Sequence, residues 1–201
     1  MYKRQNLYWV ERSADQNCGH RGTIPKELKR SEKYRSTKDY FRGRGGEPGL
    51  WDIDFQANPC DISMSPFVYM VSEKFKIAAE SLGIEANFHS VQVRVAGEPI
   101  NIKYYLPQPS ESLEFIDLSS PRVKSTDVGH MPTGWPTPYG SIQYDSRHSH
   151  VHYDAIGEKH WVTHPNATGS PWIISEAFKQ EIEKQNLTNF RFVRALEALS
   201  K

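Results

Sequence analysis

Short alternating runs of apolar and polar residues dominate the chain, and only two stretches carry clear helical spacing. Leu7, Tyr8, Trp9 and Val10 lie between charged flanks and predict a strand within 3–12. In 50–56 (LWDIDFQ), Leu50, Asp52 and Asp54 alternate with Trp51, Ile53 and Phe55, the signature of a strand with one wet face. Val91, Val93 and Val95 repeat the pattern over 88–95. A turn at Gly97 then leads to Ile100–Leu106, expected as the antiparallel partner and stopped by Pro107 and Pro109. Further strands are predicted at 113–118, 142–152 and 159–163, with a turn at Asp154–Gly157. An extended or helical piece begins at Phe190.

The first clear helix follows Ser72, whose hydroxyl suits an N-cap, with Glu73 at the positive end of the helix dipole. Phe75, Ala78, Ala79 and Leu82 form its apolar face, and Gly83 ends it in the left-handed conformation. The second helix runs from Glu176 to about Asn186 behind Ser175. A thinner helical pattern follows Pro25 over 25–42. Gly43, Gly45, Gly46, Pro48 and Gly49 then break the chain, and 119–141 is rich enough in Ser, Pro, Gly and Thr to be a long surface loop. Segments 68–88 and 172–192 repeat one another, pairing Val71 with Ile174, Ser72 with Ser175, Glu73 with Glu176, Phe75 with Phe178, Lys76 with Lys179 and Gly83 with Asn186. Capping and core burial explain these matches, so the repeat reads as scaffold.

Composition narrows the function class. The 201 residues include 5 Trp, 10 Tyr and 9 Phe, too many large rings for a disordered chain, and no apolar run is long enough for a transmembrane helix. The charged N-terminus is not a secretory signal. Cys18 and Cys60 are too few for a disulfide framework and lack metal-ligand spacing, which makes the cytoplasm the expected compartment. The net charge of +1 hides an asymmetry. Residues 1–50 hold 12 basic and 6 acidic side chains, whereas 51–120 hold 4 basic and 10 acidic ones. Such blocks either attract each other within one fold or steer a charged partner.

Four groups of side chains have candidate chemistry. His148, His150 and His152 would share one face if 142–152 is a strand. They then form a zinc-type ligand set with an open water position, a wet sheet face or a pH-sensitive one. Residues 26–46 mix basic side chains with rings and end in a basic Gly-rich run. This reads as an RNA-binding module or, given the interleaved acids, a salt-linked helix. Asp52, Asp54, Glu111, Glu114 and Asp117 offer an acidic face to a basic partner cleft, and Trp135 and Tyr139 are aromatic anchors for the same purpose. Phosphate-binding glycine loops and nucleophile elbows are absent from the sequence.

Several of these strings occur together in a fixed order. They are Ile53-Asp54-Phe55, the Val71–Lys76 helix start, Tyr104-Tyr105-Leu106, Phe115–Ser120, and the Ile174–Lys179 start with the Leu187–Phe192 ending. In that order they resemble the Myxococcus-typified immunity family of bacterial polymorphic toxin systems, over roughly residues 50–193. The resemblance implies a cytoplasmic antidote that binds and blocks a cognate toxin domain. It also implies no catalytic residue, cofactor, membrane or small-molecule substrate. The expected fold is α+β, mostly antiparallel sheet with two similar Ser-capped amphipathic helices and long loops. Residues 1–49 are expected as a basic, polar segment packed on or extending a main domain of 50–201.

Overall fold

The computed structural model describes residues 5–13, 18–23, 51–64, 69–120, 122–126, 141–164 and 171–198. The chain begins with β1 (Leu7–Arg12), β2 (Gly19–Arg21), β3 (Trp51–Phe55), β4 (Pro59–Met64) and β5 (Tyr69–Ser72), followed by helix α1 (Glu73–Ser81). Next come β6 (Ala86–Val95), β7 (Glu98–Pro99), β8 (Tyr104–Pro109), β9 (Lys124–Thr126), β10 (Ser141–Gln143) and β11 (His150–Val151). A short α2 (Tyr153–Ile156), β12 (Trp161–Thr163), β13 (Trp172–Ser175), α3 (Glu176–Lys184), β14 (Phe190–Arg194) and β15 (Leu196–Glu197) complete the described elements. The architecture is sheet-rich α+β, with mostly antiparallel pairing among the described strands. It divides into two compact units. The first comprises Met1–Glu11, Pro109–Glu183 and Arg191–Lys201; the second comprises Arg12–Gln108 and Lys184–Phe190.

In the first unit β12, β13, β1 and β14 lie in that order in one sheet. Tyr8 pairs with Ile174, and Trp161 pairs with the same residue from the other side of β13. The core gathers Leu7, Trp9, Phe115, Ile116, Val151, Ile156, Val162 and Ile173, with Tyr144 stacked on Trp9 at 4.9 Å between centroids. Helix α3 buries Phe178 and Ile182. The Phe178 N–H donates to Ser175 Oγ at 3.2 Å, an N-cap contact.

The second unit carries the sheet β2-β4-β5-β8-β6-β3, with β7 paired to β6. Its core holds Ile53, Phe55, Met70, Val91, Val93, Tyr104 and Leu106. The short segment after Cys18 joins the two edges of this sheet. Gly19 and Arg21 pair with β4, and Gly22 N–H donates to Met64 O at 2.8 Å. Thr23 and Asp54 then exchange both backbone hydrogen bonds at 2.8 Å, which ties the segment to β3. A sheet closed in this way leaves no free edge at β3 or β4 along this stretch.

Several expectations change here. Ser72 stands at the N-cap of α1 with extended backbone, but its hydroxyl donates to Asp61 Oδ1 at 2.6 Å and makes no cap hydrogen bond. Donation to that carboxylate fixes the hydroxyl's rotamer, and in this rotamer its oxygen takes no proton from the first-turn amides. The turn after β6 uses Ala96 (φ 50) and Gly97 (φ 88), as a two-residue primed turn requires, yet the returning partner is only the two-residue β7. Pro107 lies inside β8 rather than ending it, whereas Pro109 is the strand's last residue. They sit at alternate positions, so the missing donors fall on one side of the strand. The expected loop 119–141 contains β9, paired with β10. The expected turn 154–157 is mostly the helical turn α2, closed by Gly157 at φ 61. The expected strand 113–118 is an extended stretch with an isolated bridge from Ile116 to Val151. The thin helix expected over 25–42 lies outside the described residues.

Candidate functional site

The strand–helix junction has the same construction in both units. In the second unit, Glu73 begins α1 and accepts a hydrogen bond from the Tyr105 hydroxyl, and Lys76 Nζ stands 5.0 Å from the Tyr105 ring centroid. In the first, Glu176 begins α3 and accepts from Tyr8, and Lys179 Nζ stands 5.1 Å from the Tyr8 ring centroid. The registers agree, because Tyr105 pairs with Val71 and Tyr8 with Ile174. Burial, with help from Glu73, pushes the Tyr105 hydroxyl up to about 12. The hydrogen bond to Glu176 raises Tyr8, and the same bond holds Glu176 below the usual carboxylate range. These clusters fasten each helix to its sheet. Both tyrosine hydroxyls stay protonated at neutral pH and serve as donors to the glutamates.

The histidine run does not form one strand face. Asp145 breaks it: Arg147 N–H donates to Asp145 Oδ1 at 3.0 Å, and the His148 and Ser149 amides donate to Asp145 O. Ser149 Oγ closes the turn by accepting the Asp145 N–H. This is an Asx turn, in which a short polar side chain replaces the backbone partner that a strand would need. His148 therefore leaves the turn with Nδ1 2.9 Å from Asp145, His150 opens β11, and His152 precedes α2. Among the described residues, no group of three or more His, Cys, Asp or Glu side chains is arranged to hold a metal ion. The remaining nearby imidazoles serve packing. His160 Nδ1 lies 2.8 Å from Ser175 Oγ, and buried His164 meets Phe115 edge-on at 5.2 Å. Burial lowers the His164 pKa.

The acidic candidates fall in both units. Asp54 belongs to the second, where its carboxylate accepts the Gly97 N–H at 3.0 Å and buttresses the turn after β6. Asp52 lies on the same strand, β3. Glu111, Glu114 and Asp117 lie in the first unit on the extended stretch before β9. Glu111 is ion-paired with Lys159, and Glu114 is exposed. Asp117 accepts from the Ser119 hydroxyl and amide, and these bonds hold its carboxyl below the usual range, with His150 and His152 adding to the effect. Leu118 beside it is 56% exposed. In the neighbouring β11–β15 pair, Leu196 is 41% exposed opposite His150. Neither leucine stands out in the sequence, because each lies in a run whose other apolar residues point inward. Trp135, Tyr139 and the basic stretch 26–46 lie outside the described residues.

Cys18 and Cys60 are joined as a disulfide across Cα atoms 5.4 Å apart. The count of two cysteines therefore gives no argument for a reducing compartment. No helix among the described residues is long and apolar enough to cross a membrane.

Residues 50–197 match the model of the immunity protein family Imm11. The chain belongs to this family. Its matched region begins at the edge of β3 and ends in β15, so it takes in nearly all of both units but leaves out β1, β2 and Cys18. Comparison with curated proteins gives no match. Family membership agrees with the resemblance carried by the Ser-Glu helix starts, the Tyr104–Leu106 strand and the Phe115–Ser120 turn.

Proposed function

We propose that this protein is a cytoplasmic immunity protein that binds a cognate bacterial toxin domain and blocks it by occupying its surface, without catalytic chemistry. The observation that carries this reading is membership of an immunity family over residues 50–197. The geometry supports it further: the tyrosine–glutamate–lysine clusters are fastenings, and the histidine run is broken by a turn.

Within that reading, the stretch Glu111–Leu118 of the first unit is the partner contact. It presents exposed Glu114, the firmly ionised Asp117 and the exposed apolar Leu118 side by side. An exposed apolar side chain beside acids gives a partner a surface to desolvate, and the acids would steer a basic toxin cleft. The test is co-expression with the toxin domain encoded beside it. The wild-type chain should restore growth and co-purify at one-to-one stoichiometry. Leu118→Asp and Asp117→Lys should each weaken the complex at least about tenfold, the scale of one hot-spot contact. Rescue without a complex would refute direct binding. A complex insensitive to both variants would move the contact elsewhere.

A further inference from the structure

The structure assigns the Cys18–Cys60 disulfide as a redox-sensitive clasp that holds residues 18–23 in place as the closing strand of the second unit's sheet. Four contacts converge on that short segment. Gly19 N–H donates to Asn58 O at 2.7 Å, and Ser63 Oγ donates to Gly19 O at 2.8 Å while accepting the Cys60 N–H. Gly22 rests directly on Ile53 and Phe55, so close that no side chain fits there. Thr23 completes the bridge to β3. Cys60 is the first residue after the proline that opens β4, and Cys18 immediately precedes β2, so the bond pins the segment where pairing begins. The 42-residue separation makes this a large entropic constraint on a three-residue strand, which has too few hydrogen bonds to hold its place firmly alone. The clasp also joins a cysteine inside the family match to one outside it.

The two cysteines differ in exposure. Cys60 is 2% exposed, whereas Cys18 is half-buried. A dithiol reductant of the thioredoxin or dithiothreitol class therefore attacks Cys18 Sγ. The Cys18–Cys60 bond breaks, a mixed disulfide forms on Cys18, and Cys60 leaves as a thiolate that takes up a proton. The reductant's second thiol then attacks its own sulfur in the mixed disulfide, forming the cyclic disulfide and releasing Cys18 as a thiol. Two electrons pass from reductant to protein, and exchange with a low-molecular-weight disulfide runs the sequence backwards. In the reduced state the segment 18–23 detaches and exposes the facing edges of β3 and β4.

Hydrogen–deuterium exchange on the full chain, with and without dithiothreitol, tests this. Reduction should speed exchange of the Gly22, Thr23 and Asp54 amides by roughly tenfold or more, while the Ser175 and Ala195 amides of the first unit stay unchanged. Cys18→Ser should show the fast pattern without reductant, and in the unsubstituted chain treated with glutathione the adducts should map to Cys18. The proposal is overturned by two free thiols in protein alkylated without reductant. It is equally overturned by unchanged exchange at the three amides, or by adducts on Cys60.

Discussion

Replacing Gly22 with alanine is the sharpest probe of how the second unit closes. A Cβ at this position would stand 2.1 Å from Ile53 Cγ2 and 2.7 and 2.8 Å from the Phe55 ring. Carbon atoms rest at about 3.5–4.0 Å, so the contact needs more than an ångström of relief. Ile53 and Phe55 are fully buried and cannot swing away. Over-packing of this kind costs about 1–3 kcal/mol. If the segment moves instead, it forfeits the Gly22–Met64 bond and the Thr23–Asp54 pair, each worth about 1 kcal/mol. The two routes together predict a loss of about 1–3 kcal/mol. The assay is equilibrium urea unfolding, comparing midpoints at an unchanged slope. Ile53→Ala alone should cost about 2–5 kcal/mol through its cavity. Because that variant removes the clashing Cγ2, the double variant should lose about 1–2 kcal/mol less than the sum of the singles. A neutral Gly22→Ala, or strict additivity with Ile53→Ala, would refute the close packing of this segment on β3.

Asn189 is buried at φ 71; it accepts from Ser13 Oγ and donates to Ile62 O at 2.7 Å. Asn189→Ala should therefore lower stability by about 2–4 kcal/mol in the same urea assay, through lost hydrogen bonds and a left-handed backbone. Asn186 follows α3 at φ 53, so Asn186→Gly should be neutral or raise Tm, where most glycine substitutions lower it. Burial holds the folded pKa of His164 below its ordinary value of 6.5. The unfolded chain thus takes up the proton first: no penalty exists above that pH, and one grows as pH falls below it. His164→Gln should flatten the fall of Tm between about pH 7 and 5 in calorimetry. Tyr105 is raised from 10.0 to about 12, so its contribution is intact below pH 10 and is lost as pH rises through 12. Tyr105→Phe should reduce that alkaline loss, measured by tyrosinate absorbance alongside unfolding.

The sequence made local structure legible where one pattern acts within one element. The alternation around Ile53, the Ser-Glu starts at Ser72 and Ser175, and the positive-φ positions Gly83, Gly97 and Asn186 all correspond to observed elements or turns. What escaped it depends on distant partners. The three residues of β2 have no periodicity to detect and become a strand only because β4 supplies hydrogen bonds. The Cys18–Cys60 bond is a matter of Cα separation, which spacing along the chain does not give. The histidine run misled for the opposite reason. Its strand-like alternation is real, but Asp145 offers the backbone a stronger local partner, which takes His148 out of the alternation and leaves only His150 and His152 near Asp117. Of the candidate site, the sequence indicated Glu114 and Asp117 through charge, while the exposure of Leu118 and Leu196 appears only once their neighbours are seen to point inward.

The most direct test of the central claim is capture of the tagged chain from its own cells at moderate salt, with mass spectrometry of what accompanies it. The account predicts a stoichiometric partner that is the C-terminal domain of a large secreted protein, whose toxicity the chain suppresses on co-expression. A monomer that leaves that neighbouring toxin fully active, at concentrations where both are soluble, would contradict it.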